Sequence, residues 1–232
     1  MPVILQLILA VLLGYLWGSI PAGYWMGKLL RGKDFDIRTY GSHKIGATNV
    51  LRTLGKGPAA IVFLFDLSKG LGPTLVATYV AIFYGAGWGP ALAGLATLLG
   101  HCFPIFIGFK GGRGVLTAAG VLVVLSPLAF VIALIITIST ILISRYVSLG
   151  SIAGSLTSII CGLIFYFVGP GFFAHVSLPA MLFMVIGPAL IILFHYDNIG
   201  RLLSGTERKI GQKVKLDEKP ASPGTTSSNV PV

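Results

Sequence analysis

Apolar positions run through this chain in long unbroken blocks. Residues 1–27, 70–109, 114–144 and 146–196 contain no Asp, Glu, Lys or Arg. A helix that crosses a bilayer needs about 20 mostly apolar residues, whereas a membrane barrel alternates apolar and polar positions in segments of roughly 10. The blocks predict an all-α polytopic membrane protein. Helices are expected over residues 3–30, 58–84, 88–109, 114–125, 127–144, 147–168 and 178–196, with a polar loop over 31–56. Residues 114–144 as one helix would reach about 46 Å at 1.5 Å per residue, too long for a core of about 30 Å. Ser126-Pro127 interrupts the run, and proline cannot continue the hydrogen-bond ladder. This region therefore reads as a hairpin of two short helices, giving seven in all. The first apolar run lacks a basic lead and exceeds the 7–15 residues of a signal peptide, so it reads as a retained helix.

Charge orients the helices. Only 10% of the 232 residues are charged, against about 25% in a soluble domain, and mean hydropathy is +0.90. The net charge of +10 gathers in the first loop, at Lys110 and Arg113, at Arg145, and in the tail from Arg201 onward. The breaks at 85–87 and 169–177 carry no Lys or Arg. Cationic loops stay cytoplasmic, which places the N-terminus outside and the C-terminus inside. Cations that flank membrane spans argue against nucleic acid as a partner. One transmembrane domain is expected over 1–215, with a Pro/Ser/Thr-rich disordered tail over 216–232. Cys102 and Cys161 lie in apolar context and read as free buried thiols.

Three polar clusters share the cytoplasmic face. In the first, Gly41-Ser42-His43-Lys44-Ile45-Gly46-Ala47-Thr48-Asn49 supplies small residues and hydroxyls. Thr48 or Asn49 is positioned to cap a following helix, whose N-terminus would attract an anion. Arg52, one turn on, can fork onto a phosphate. In the second, Asp66 and Lys69 lie three apart inside a span. They share a face and can pair, and intramembrane charges point into the bundle or a wet cavity. In the third, Lys110-Gly111-Gly112-Arg113-Gly114 follows His101 by nine residues. Its glycines allow positive φ, so successive N–H groups can form an anion-binding concavity. A fourth group, His195 and Asn198, shares a helical face at the same side. The bland alternatives are an interfacial turn that meets anionic lipid, a structural buried ion pair, and a snorkelling turn. The clusters together predict anionic, phosphate-bearing substrates that reach the lipid, with no metal site.

At these residues the sequence resembles the bacterial integral-membrane acyl-phosphate:glycerol-3-phosphate acyltransferases. The resemblance rests on "GSIPAGYWMGK", "DIRTYGSHKIGATNVLR", "DLSKG", "GHCFPIFIGFKGGRGV" and "NIGRLLSGTE". It implies transfer of an acyl chain from acyl phosphate to the 1-hydroxyl of glycerol 3-phosphate, giving lysophosphatidic acid in phospholipid biosynthesis, without cofactor, acyl-CoA or metal. It also implies a site on the cytoplasmic side of a bacterial inner membrane. Ser42, Arg52, Lys110, His195 and Asn198 would hold glycerol 3-phosphate. The 41–49 loop, with Gly46, Thr48 and Asn49, would hold the acyl phosphate together with Gly111, Gly112 and Arg113. His101, Lys69 and Lys110 are the catalytic candidates, with a substrate phosphate preferred over His101 as the base. His43-Lys44 stands where the family usually has Gly-Asn, Arg113 where Lys is common, and Tyr196 where a basic residue is frequent. A membrane transporter for an organic phosphate or other anion is the alternative, and it predicts inverted repeats that the sequence lacks. Oligomeric state, acyl chain length and the identity of the base are not legible.

Overall fold

The structure is a computed structural model that describes residues 1–80, 87–168 and 175–212. The expected disordered tail lies outside those residues. The regular structure among the described residues is all helical, with no strand.

Most helix boundaries follow from proline and glycine. The helix predicted over 3–30 is instead two, α1 (Val3–Gly18) and α2 (Ala22–Arg31). Pro21 has no N–H to continue α1, and Ser19 closes the end by donating its N–H to Tyr15 O at 2.9 Å. A seven-residue α3 (Ala47–Thr53) rises from the first loop, and α4 (Lys56–Tyr79) follows it. The helix predicted over 88–109 stops early, as α5 (Gly89–Cys102). Pro104 disfavours helix in the residue before it, and residues 105–107 form a single tight turn. The break at Ser126-Pro127 falls where expected, between α6 (Val115–Leu125) and α7 (Pro127–Ser144). Next come α8 (Val147–Phe167) and α9 (Leu178–Leu193). An unexpected α10 (Tyr196–Leu203) leaves α9 at 56°.

Among the described residues, five helical stretches are long and apolar enough to cross a membrane, or six if α9 and α10 count as one. At 11 residues, α6 is about 17 Å long, too short to cross a core of about 30 Å by itself. Residues of α7 such as Ile135, Leu142 and Ile143 are exposed, as a lipid-facing surface would be.

Glycines bring the backbones into contact, the packing mode of helices in lipid. A Cβ on Gly14 would lie 2.3 Å from Ala93 O, which locks α1 to α5. One on Gly70 would lie 1.8 Å from Thr117 O, which locks α4 to α6. Gly150 meets Ile141 and Gly154 meets Thr137, so α7 and α8 run antiparallel. One cavity among these helices is lined by residues of α4, α6, α7, α8 and α9 together with the polar loops.

Candidate active site

The first loop is a folded unit. Ile37, Ile45 and Val50 are fully buried beneath it. Asn49 is its hub: Nδ2 donates to Ile37 O (3.2 Å), Tyr40 O (3.1 Å) and Lys44 O (2.8 Å), and Oδ1 accepts from Ser42 N (3.0 Å). Asn49 was expected to cap α3 or bind substrate; its amide is instead committed to the loop, and Gly46 occupies the cap position. Thr48 likewise lies inside the helix. His43 adopts φ 56°, a left-handed conformation that costs a side chain roughly 1–2 kcal/mol. Its Nδ1 donates to Arg38 O at 2.9 Å, which offsets that cost and accommodates the departure from glycine. Arg38 in turn forks onto Asp36 and reaches Ile107 O at 2.9 Å, which ties this loop to the turn after α5. Burial raises the Asp36 pKa, but the bonds and charge of Arg38, with the charge of Lys28, together outweigh it and bring the value below that of an ordinary aspartate.

The N–H groups of Gly46, Ala47 and Thr48 find no acceptor among the described residues, nor do the hydroxyls of Ser42 and Thr48. All of these residues line one cavity of about 400 Å³, together with Lys44 and Arg52. Arg52 is half-buried. It gives one nitrogen to Arg208 O at 3.2 Å and has no carboxylate within 4 Å among the described residues. Burial above all lowers its pKa from the ordinary arginine value; Glu207 opposes this, while Arg208, Arg113 and Arg201 add to it. Arginine nonetheless stays charged, so this corner favours an incoming anion.

The turn after α5 departs from expectation. Positive φ falls on Gly108 (72°), Phe109 (60°) and Gly114 (80°), not on Gly111 or Gly112. Gly111 and Gly112 donate their N–H groups to Cys102 O and His101 O, both at 3.1 Å. They form no anion cradle, because folding back on the end of α5 already uses their amides. What they require is the absence of a Cβ: one on Gly112 would lie 2.0 Å from His101 Nε2. Lys110 is exposed and does not line the cavity, contrary to its expected part in the site. Arg113 does line it, but its Nη2 bonds both Asp197 oxygens (2.9 and 2.7 Å) and its Nε bonds Phe194 O (3.1 Å). Its fork holds the start of α10 rather than a phosphate.

Asp66, Lys69 and His101 converge. Lys69 Nζ donates to Asp66 Oδ1 at 2.7 Å and is fully buried, away from the cavity wall. Lys69 therefore neutralises a buried carboxylate, which replaces its expected catalytic role. His101 lines the cavity at 3% exposure. Its Nδ1 lies 3.6 Å from Asp66 Oδ1, too far for a hydrogen bond, and has no partner. The sequence had offered no carboxylate near this histidine, because Asp66 precedes it by 35 positions.

His195 and Asn198 line the opposite wall and are buried. His195 Nδ1 donates to Ile191 O at 2.7 Å, which leaves Nε2 as the acceptor of a neutral ring. Asn198 Nδ2 donates to Glu207 Oε1 at 2.8 Å, and its Oδ1 is unpartnered. Glu207 also accepts from Ser148 Oγ (2.9 Å) and Arg201 Nε (2.7 Å). Burial raises the Glu207 pKa, but the bonds from Arg201, Asn198 and Ser148 outweigh it and bring the value below that of an ordinary glutamate. On these two cavity-lining residues, His195 Nε2 and Asn198 Oδ1 are thus left as acceptors. Ser148, Arg201 and Glu207 escaped the sequence reading; the one available signal was the scarcity of carboxylates, seven in the chain.

From this polar end the cavity continues as an apolar channel between α6, α7 and α8, past Leu116, Ala119, Leu134 and Ile138 to Phe130.

Residues 8–205 match the family model described as glycerol-3-phosphate acyltransferase. A glycerol-3-phosphate acyltransferase of Thermoanaerobacter sp. (strain X514) is 41% identical over 209 residues, covering 90% of this chain and 98% of the relative. One from Shouchella clausii is 44% identical over 211 residues, with the same coverage. Among solved structures, the glycerol 3-phosphate form of PlsY, an integral membrane glycerol 3-phosphate acyltransferase, superposes with a TM-score of 0.77. It is 37% identical and covers 88% of this chain and 95% of its own. The lysophosphatidic acid form gives a TM-score of 0.74 at 36% identity. With its sequence matched from end to end of the helical region and its fold shared, the chain belongs to the glycerol-3-phosphate acyltransferase family.

Proposed function

We propose that this protein transfers a fatty acyl group from acyl phosphate to the 1-hydroxyl of glycerol 3-phosphate, yielding lysophosphatidic acid and inorganic phosphate. The observation that carries this reading is a single cavity with a cationic, amide-lined mouth and an apolar channel behind it. The N–H groups of Gly46, Ala47 and Thr48 suit the acyl phosphate's headgroup, and the channel suits its chain. Arg52 and Ser42 suit the phosphate of glycerol 3-phosphate. The acceptors on His195 and Asn198 suit its hydroxyls, since an acceptor orients an O–H and repels a phosphate oxygen.

The hydroxyl oxygen attacks the acyl carbon, and the carbon–oxygen bond to phosphate breaks. The hydroxyl proton ends on the released phosphate as hydrogen phosphate, so a substrate phosphate serves as base. Acyl phosphate is already activated, and the protein's main task is to position two anions. Unit charges 5 Å apart repel by about 3 kcal/mol at an effective dielectric near 20, which the cationic mouth offsets.

Seven crossings are proposed: α1 with α2, then α4, α5, the α6–α7 hairpin as two, α8, and α9 with α10. The N-terminus lies outside and the site at the cytoplasmic face of a bacterial inner membrane, as the cationic loops favour. Residues 1–215 act as one domain.

The test is reconstitution of the purified protein with glycerol 3-phosphate and either acyl phosphate, acyl-CoA or an acyl carrier protein thioester, following lysolipid and phosphate release. Transfer is expected with acyl phosphate alone. Activity only with a thioester rejects the donor. Vesicle uptake of glycerol 3-phosphate without lysolipid favours a carrier.

A further inference from the structure

Three cations line the cavity: Lys44, Arg52 and Arg113. The carboxylates around it are each paired with a cation. Asp66 is matched by Lys69, Asp197 by Arg113, and Glu207 by Arg201. Arg52 has no carboxylate partner, and neither has Lys44, whose Nζ makes no hydrogen bond or ion pair among the described residues. Without Lys44 the wall would hold one uncommitted positive charge for two phosphates; with it there are two.

Lys44 is also firmly presented. Its carbonyl is gripped by Asn49 Nδ2 at 2.8 Å. The preceding residue is held at φ 56° by the bond from its imidazole to Arg38 O. Two residues further on begins the run of unpartnered amides at Gly46, Ala47 and Thr48. Lys44, with no ion pair among the described residues, lines the same cavity as these unpartnered donors. One tetrahedral anion satisfies both.

We propose that Lys44 is a further substrate-binding residue, closing with these amides on the phosphate of the acyl phosphate, while Arg52 takes that of glycerol 3-phosphate. This rests on acyl phosphate being the donor. Inorganic phosphate, the product left in the same place, should then compete through Lys44 as well.

The test compares wild type with Lys44→Gln and Lys44→Met in the reconstituted full-length protein, after thermal unfolding in detergent identifies which variant folds like wild type. The expected result is at least a fivefold rise in KM for acyl phosphate and a matching rise in Ki for inorganic phosphate. KM for glycerol 3-phosphate stays within twofold, and Lys44→Arg recovers most of the loss. Unchanged KM and Ki overturn the proposal, and so does a rise confined to glycerol 3-phosphate. Should wild type use only a thioester, the donor reading fails on its own. Direct binding of inorganic phosphate to wild type and Lys44→Gln then decides the matter: equal affinity overturns the role of Lys44, and weaker binding by the variant sustains it.

Discussion

Replacing Gly112 by alanine adds one methyl group where His101 already stands. The new Cβ would lie 2.0 Å from Nε2, 2.9 Å from Cδ2 and 3.0 Å from Cε1. Favourable non-bonded contact begins near 3.5 Å, so about 1.5 Å of overlap must be absorbed. The imidazole is 3% exposed and has Asp66 behind it at 3.6 Å. The ring has little room, and the backbone of residues 111–113 must shift, drawing Arg113 off Asp197. Overpacking of this kind costs about 1–3 kcal/mol, and a misplacement of ~1 Å costs up to ~10²-fold in rate. Gly112→Ala should therefore unfold earlier in a denaturant titration in mixed micelles and lose at least about tenfold in kcat/KM. Combining it with His101→Ala removes the clashing ring. The double variant should then be about 1–3 kcal/mol more stable than the sum of the single effects, well outside the ~0.5 kcal/mol expected of independent sites. Additive costs, or a Gly112→Ala protein with wild-type stability and rate, would refute the contact as the reason for glycine.

Arg52→Ala, at equal expression, should lose more than tenfold in rate, at least about 1.4 kcal/mol; a near-normal rate removes Arg52 from the site. Glu207 has a depressed folded pKa, so its stabilising effect is present above an unfolded value near 4.5 and is lost as pH falls through the lower folded value. Melting midpoints should fall less steeply with acid in Glu207→Gln than in wild type, since Asp36 and Asp197 keep their own depressed pKa values, and the variant's rate should also drop as Asn198 loses its anchor; parallel pH curves contradict this. His43→Gly should stay within about 1 kcal/mol of wild type, trading a hydrogen bond for relief of left-handed strain. His43→Val, a β-branched side chain at φ 56°, should be clearly less stable, and equal melting of the two would rule out strain there.

Much of this protein was legible from residue order because lipid and proline impose local rules. A bilayer requires continuous apolar runs of a set length, so the helices could be placed, and Ser126-Pro127 marked the hairpin. Asp66 and Lys69 stand three apart on a helix, so their pairing could be anticipated. The cationic loops marked the face that carries the site. Other features depended on groups far apart in sequence. The amides of Gly111 and Gly112 looked free until the chain folded back on His101 and Cys102. Arg113 looked available until α10 brought Asp197 to it, and Lys110 looked like a substrate contact until the fold left it exposed and off the cavity wall. Glu207 acquires meaning only where Ser148, Asn198 and Arg201 meet. Periodicity and composition determine which segments enter the membrane, since each residue's cost in lipid is its own. Which charges remain available to a substrate is decided only by tertiary contact, because a charge is spent or spared by the partner that folding sets beside it.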